Sequence, residues 1–311
     1  MTKSVDIQFV REYVNSLIVN VNKEKLPSAP INLIFDSGAL NGLFGIGVAL
    51  YIKELEQNGI VKINKISGCS IGSLTALVYQ CGFSDIVFKY ITDIFIYYKE
   101  KHNFFEYNKL VTNIVYSIFE TDDTTLLKKM LHNKLYINYY DSKKNKQKVV
   151  TRFKNRQHLI ECVLRSSHLP FINNGDYKYK GRYLDGCYPH IFDRGLNLFI
   201  RLIPYDNITV VFNARNEKNI WVRIMKGIIE SNDFFMNGHS SMIKYIDNKS
   251  YSLHLQLFIR KIICLLFLMG IDTVVMFKNM LPTCIPDFIR YNESISMIYE
   301  IILSVIRNKL F

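Results

Sequence analysis

Gly68-Cys69-Ser70-Ile71-Gly72 is a G-x-S-x-G pentapeptide, and its residue types suit one job. A serine on a tight, strained strand-to-helix turn projects its hydroxyl from the end of a sheet, where it can attack an acyl carbon. The glycines at 68 and 72 remove side chains that would collide in such a turn. A serine becomes a nucleophile only when a base takes its proton. Two sources of that base are open from the residues alone. One is a histidine of a Ser-His-Asp triad, from His102, His132, His158, His168, His190, His239 and His254, none of which sits in a marking context. The other is Asp185 in Tyr183-Leu184-Asp185-Gly186-Cys187, although an Asp-Gly pair by itself reads as a turn. A third stretch, Asp36-Ser37-Gly38-Ala39-Leu40-Asn41-Gly42, has residues small enough for backbone N–H groups to approach an oxyanion. It is no dinucleotide fingerprint, because Leu40 and Leu50 stand where glycines would be needed, and no Gly-Lys-Ser/Thr follows to make a phosphate loop.

These stretches need elements to hold them. Ile31 to Phe35, apolar but for Asn32, reads as a buried parallel strand. Helical periodicity follows from Phe44 to the stop at Asn58-Gly59, then a second strand, VKINKI, and a second helix from Ser70 to Gly82. Alternating strand and helix predict a parallel sheet with right-handed crossovers. Residues 84–140 read as helical, 141–148 as a solvated basic turn, and VVTRF as a strand. A short helix over 157–166 ends at SSHLPF; FIRLIP and ITVVFNAR read as two more strands, and everything from Glu217 as helical.

Taken together, the motifs resemble the patatin-like phospholipase family: a glycine-containing loop after the first strand, then G-x-S-x-G, then an Asp-Gly pair preceded by SSHLPF. The resemblance covers roughly residues 31–215. It implies a three-layer α/β/α sandwich with a mostly parallel sheet, here with a helical C-terminal extension. The division expected is an N-terminal helix and loop (1–30), a catalytic domain (31–215) and a helical region (216–311). The implied activity is lipid acyl hydrolysis, with phospholipid or another acyl lipid as substrate. Ser70 would be the nucleophile and Asp185 the general base, with Gly38 and Ala39 in the oxyanion hole and Gly42, Gly68, Gly72 and Gly186 as supporting positions. No metal and no organic cofactor is implied. Two departures stand out. The family's loop reads D-G-G-G-x-[R/K]-G, whereas Ser37, Ala39 and Asn41 occupy three of those places, and Cys187 follows the Asp-Gly pair where glycine or alanine is usual. The competing readings are a Ser-His-Asp α/β-hydrolase and a catalytically degenerate, basic lipid-binding protein on the same fold.

Composition sets the outer bounds. The 311 residues allow one large domain or two small ones at roughly 150 residues each. With 49% hydrophobic and 21% charged residues the chain is a folded globular protein, which excludes wholesale disorder. Thirty-nine basic against 27 acidic residues give +12, which favours anionic partners, above all peripheral contact with an anionic membrane surface. No nucleic-acid-binding motif accompanies that charge, and no nucleic acid is expected. Six cysteines without a CxxC pair, and a first segment with no apolar signal core, predict a reducing, cytoplasmic setting without a signal peptide. The stretch 253–277 is interrupted by Arg260, Lys261 and Asp272, so it reads as a buried or interfacial helix and not as a membrane span. The oligomeric state is left open.

Overall fold

The computed structural model describes residues 7–101, 104–121, 123–170, 173, 176–203, 221–246 and 251–280. They fall into two units, one up to Ser250 and one from Tyr251.

The first unit is built on a seven-stranded mixed sheet flanked by helices, a three-layer α/β/α sandwich. Its strands are β1 (Ile31–Phe35), β2 (Ile63–Cys69), β3 (Leu135–Asp141), β4 (Lys146–Val150), β5 (Tyr183–Asp185), β6 (Leu196–Ile200) and β7 (Ile243–Ile246). They lie in the order β4-β3-β2-β1-β6-β7. The four central strands are parallel, and β4 and β7 close the edges antiparallel. All five side chains of β1 are buried, as expected of a strand covered on both faces; the polar one, Asn32, donates its amide to the Arg194 carbonyl and to Asn197 Oδ1.

Helix α1 (Ile7–Ile18) puts Ile7, Val10, Val14 and Ile18 on one buried stripe, the spacing of an amphipathic helix. Helix α2 (Gly42–Gln57) joins β1 to β2, and α3 (Ile71–Cys81) follows β2 directly. Between β2 and β3 lie α4 (Asp85–Lys101), α5 (Tyr107–Ile118) and α6 (Thr124–Leu131). Helix α7 (Arg156–Ser166) precedes β5, and α8 (Trp221–Asn237) lies between β6 and β7. Helix α8 crosses α2 at backbone contact: a Cβ at Gly47 would lie 2.0 Å from the Ile224 carbonyl oxygen, and one at Gly227 2.2 Å from that of Phe44.

Two expectations differ from what is found. The helical reading of 84–140 holds up to Leu131, but Leu135–Asp141 is the strand β3. Its sequence, LYINYYD, mixes apolar and polar residues without clear alternation because β3 is buried at most of its positions. Likewise Ile243–Ile246, inside the region read as helical, is edge strand β7. The strand expected at ITVVFNAR and the segment beyond residue 280 lie outside the described residues.

The second unit contains α9 (Tyr251–Met280). Tyr251, Leu255, Phe258, Ile259, Ile262, Ile263, Leu266 and Met269 are exposed on it. Among the described residues no helix is long and apolar enough to cross a membrane.

Candidate active site

Strand register, more than any single contact, assembles the site. Gly68 pairs with Phe35, the last residue of β1, so the Asp36–Gly42 loop leaves the sheet beside the turn that carries Ser70. On its other side β2 ends with Cys69 opposite Asn138 of β3. The next residue of β3, Tyr139, pairs with Asp185. Strand β5 therefore continues the track that β2 vacates, and Asp185 stands one register step beyond the residue preceding Ser70. Cys69 Sγ donates to Asp185 Oδ1 at 3.7 Å.

Ser70 sits between β2 and α3 with φ 56° and ψ −131°, a conformation sparsely used by non-glycine residues and costing about 1–3 kcal/mol. Packing holds it there. A Cβ at Gly68 would lie 2.2 Å from the Gly72 carbonyl oxygen, and one at Gly72 2.3 Å from that of Asp36, so the start of α3 presses on the end of β1. The Ser70 N–H donates to Ser166 Oγ at 3.0 Å, and the Ser73 hydroxyl donates to the Ser70 carbonyl at 2.6 Å. Ser70 is 4% exposed, with its Oγ at the N-terminus of an 11-residue helix whose dipole favours developing negative charge.

Asp185 is half-buried. Its Oδ1 accepts the Cys187 N–H at 2.8 Å, and its own N–H donates to the His168 carbonyl at 3.2 Å. Cys187 takes φ 62°, so the chain turns back sharply after the aspartate. Gly186 fits against the Asn138 backbone, where a Cβ would meet the carbonyl oxygen at 2.5 Å. Burial pushes the nearby Tyr107 phenol up, and the charge of Asp185 raises it further. In unliganded sites the bond between a nucleophile and its base is often long and tightens with substrate.

The end of α7 ties both halves together. Ser166 Oγ, besides accepting from Ser70, donates to the Asn138 carbonyl at 2.8 Å. The Ser166 carbonyl accepts the Gly186 N–H at 3.4 Å. SSHLPF is visible in the sequence, but nothing in its composition shows that Ser166 would bridge the Ser70 turn and β3. His168 is buried with Nε2 at 3.2 Å from the Asp176 carbonyl, and burial holds its pKa below the usual histidine value.

In the loop after β1, Gly38 is packed so that a Cβ would lie 2.2 Å from Leu202 Cβ. The N–H groups of Gly38 and Ala39 donate to no described acceptor. A one-turn 3₁₀ helix, Ala39–Asn41, leads into α2, whose first residue, Gly42, abuts Ile71 of α3. Ala39 has φ 41°, the left-handed region, at the place where the resemblance expects glycine. Ala39→Gly relieves that strain, and unfolding stability is expected to rise by about 1 kcal/mol. A thermal or denaturant melt checks this; an unchanged or lowered midpoint refutes it.

Asn41, where a basic residue is expected, is buried and donates to the Leu202 carbonyl at 2.9 Å. A guanidinium reaches it from elsewhere: buried Arg223 of α8 donates to Asn41 Oδ1 at 3.5 Å. The sequence offered no signal for Arg223, which lies 182 residues from Asn41 and meets it through the α2–α8 crossing.

Asp141 at the end of β3 anchors the approach to Asp185. Arg182 holds it with two hydrogen bonds, Nε to Oδ1 at 2.8 Å and Nη2 to Oδ2 at 2.7 Å. That pair holds the Asp141 carboxyl below the usual aspartate value of 3.8. Its folded pKa is thus depressed, so its stabilisation is complete well above pH 3.8 and is lost as pH falls through the folded value. Unfolding stability should decline on acidification below about pH 4. Asp141→Asn should be less stable at neutral pH and show a smaller acid decline. Parallel acid profiles for the two proteins would remove the pair from the account.

Among the described residues no group of three or more His, Cys, Asp or Glu side chains could hold a metal ion. An α/β/α sandwich with a serine on a strained strand-to-helix turn, an aspartate one register step beyond the residue before it and a loop whose Gly38 and Ala39 N–H groups meet no described acceptor is an arrangement suited to acyl transfer. The model of the patatin-like phospholipases matches residues 33–188, and the chain belongs to that family of lipid acyl hydrolases. Comparison with curated proteins gives no match.

Proposed function

We propose that the protein hydrolyses fatty-acyl esters of phospholipids or other acyl lipids through a Ser70–Asp185 dyad. The observation that carries this is the register on β3, where Asn138 faces Cys69 and Tyr139 faces Asp185. Ser70 Oγ attacks the ester carbonyl carbon as the Asp185 carboxylate takes its proton. The oxyanion is stabilised by the N–H groups of Gly38 and Ala39, aided by the α3 N-terminus. The intermediate collapses, the alcohol leaves with the proton from Asp185, and the acyl group remains on Ser70. Water, deprotonated by Asp185, then releases the fatty acid and restores the serine. Gly42, Gly68, Gly72 and Gly186 allow the close packing on which this geometry depends.

The reaction takes place at a lipid surface. The +12 charge supports peripheral contact with anionic bilayers, and four described cysteines in the thiol form, Cys69, Cys81, Cys162 and Cys187, fit a reducing, cytoplasmic setting. The test is labelling with a fluorophosphonate and mapping of the modified residue. Modification of Ser70 is expected; a labelled residue elsewhere, or none, rejects the dyad.

A further inference from the structure

The turn read in the sequence as solvated and basic is the β3–β4 hairpin, and it lies beside the site. Lys143, Lys144, Lys146 and Lys148 are all exposed, four cations in six residues. The nearest acid in sequence, Asp141, is committed to Arg182, and among the described residues no carboxylate pairs with any of the four. Lys146 and Lys148 alternate along β4 and share a face. The hairpin is fastened to the site segment. Gln147 Nε2 donates to the Gly186 carbonyl at 3.1 Å and to the Tyr188 carbonyl at 2.8 Å. Ser142 N–H and Oγ both donate to the Arg182 carbonyl, at 3.1 and 2.7 Å. Tyr139 of β3 pairs with Lys148 on one side and Asp185 on the other. The lysine-bearing strand therefore runs two strand spacings, about 10 Å, from the aspartate.

Lysines on an edge strand also discourage edge-to-edge pairing. That role does not account for Lys143 and Lys144, which lie in the turn beyond the ladder, nor for a local charge that no described carboxylate pairs. We propose that the Lys143–Lys148 hairpin is the docking surface through which the protein seats on an anionic phospholipid bilayer. The inference rests on the lipid-hydrolase reading above and locates its membrane contact. A rigid, cationic hairpin fastened to the 186–188 segment brings the dyad to the headgroup layer from which the ester must be drawn. Phosphodiester and carboxylate headgroups are the complementary anions, and the family's lipid chemistry favours a bilayer over a nucleic acid as the polyanion.

The test uses the full chain and co-sedimentation with phosphatidylserine-containing vesicles, neutral phosphatidylcholine vesicles and a DNA duplex. Each lysine near an anionic leaflet strengthens binding about five-fold, so replacing Lys143, Lys144, Lys146 and Lys148 together by Gln should weaken anionic-vesicle binding by on the order of 10³. A control replacing exposed Lys23, Lys62, Lys128 and Lys129 by Gln removes the same charge elsewhere and should change it by no more than about five-fold, the share of one lysine. Thermal melts of both variants confirm the fold. Wild-type binding should weaken between about 0.05 and 0.5 M salt. Equal losses in the two variants, equal wild-type binding to neutral and anionic vesicles, or a loss confined to DNA binding each overturns the proposal. Hydrolysis of a soluble short-chain ester by the wild type is scored separately. Its absence alongside hairpin-dependent vesicle binding would reject the dyad and leave the docking surface standing.

Discussion

Ser70→Ala abolishes ester hydrolysis, with kcat falling by on the order of 10⁴ or more, as for other activated serines. The expectation rests on the position of the residue: it is the only side chain at the turn between β2 and α3, held at φ 56° by glycine packing on both sides. The alanine variant keeps the Ser70 N–H bond to Ser166, so its fold and melting point should stay close to those of the wild type. Ser70→Gly supplies an independent reading. It loses the same activity but relieves the left-handed conformation, so it should be at least as stable as Ser70→Ala and by about 1 kcal/mol more so. Turnover by either folded variant within ten-fold of wild type would mean that another residue carries the acyl group. If Ser70→Gly instead proves the less stable, the turn is not strained as its geometry implies.

Asp185→Asn loses activity to a similar extent. The substitution is conservative in shape, and the retained Oδ1 can still accept the Cys187 N–H and Cys69 Sγ bonds that fix the side chain. What it lacks is the ability to take a proton from the serine. Because the two residues act as a unit, Ser70→Ala combined with Asp185→Asn should be scarcely worse than either alone. Additive losses would give Asp185 a structural role only. The triad reading makes an opposed prediction, that replacing one histidine matches the loss of Ser70. His132, bonded to the Phe153 backbone, and His168, bonded to that of Asp176, have other partners. A single folded histidine variant as inactive as Ser70→Ala would reinstate the triad.

The local parts of this protein are legible from the chain. Ile31–Phe35 is a buried strand because four apolar residues in five, with the amide of Asn32 hydrogen-bonded to Asn197, belong inside a sandwich. The nucleophile turn is legible for a related reason. Gly68 and Gly72 are demanded by contacts of 2.2 and 2.3 Å that any Cβ would violate, so the chemistry leaves its mark on residue identity. The order of the motifs was enough to find the family and the sandwich. Strands β3 and β7 left weaker marks, since a mostly buried strand or a short edge strand imposes no strict period on its side chains.

What lies between the motifs only tertiary structure decided. Ser70 and Asp185 are 115 residues apart, and no spacing rule relates them. Their meeting depends on β2 stopping at Cys69 so that β5 can pair with the next residue of β3. The same holds for Ser166, which reaches the nucleophile turn because α7 ends over β3, and for Arg223, which reaches Asn41 because Gly47 and Gly227 let two helices touch at their backbones. The departure at Asn41 reads in the sequence as a lost cation; in the fold a guanidinium from α8 stands against it. A sequence records what each residue's own backbone and burial demand. Which distant side chain occupies the space beside it depends on register and helix crossing, and these follow from the packing of the whole core.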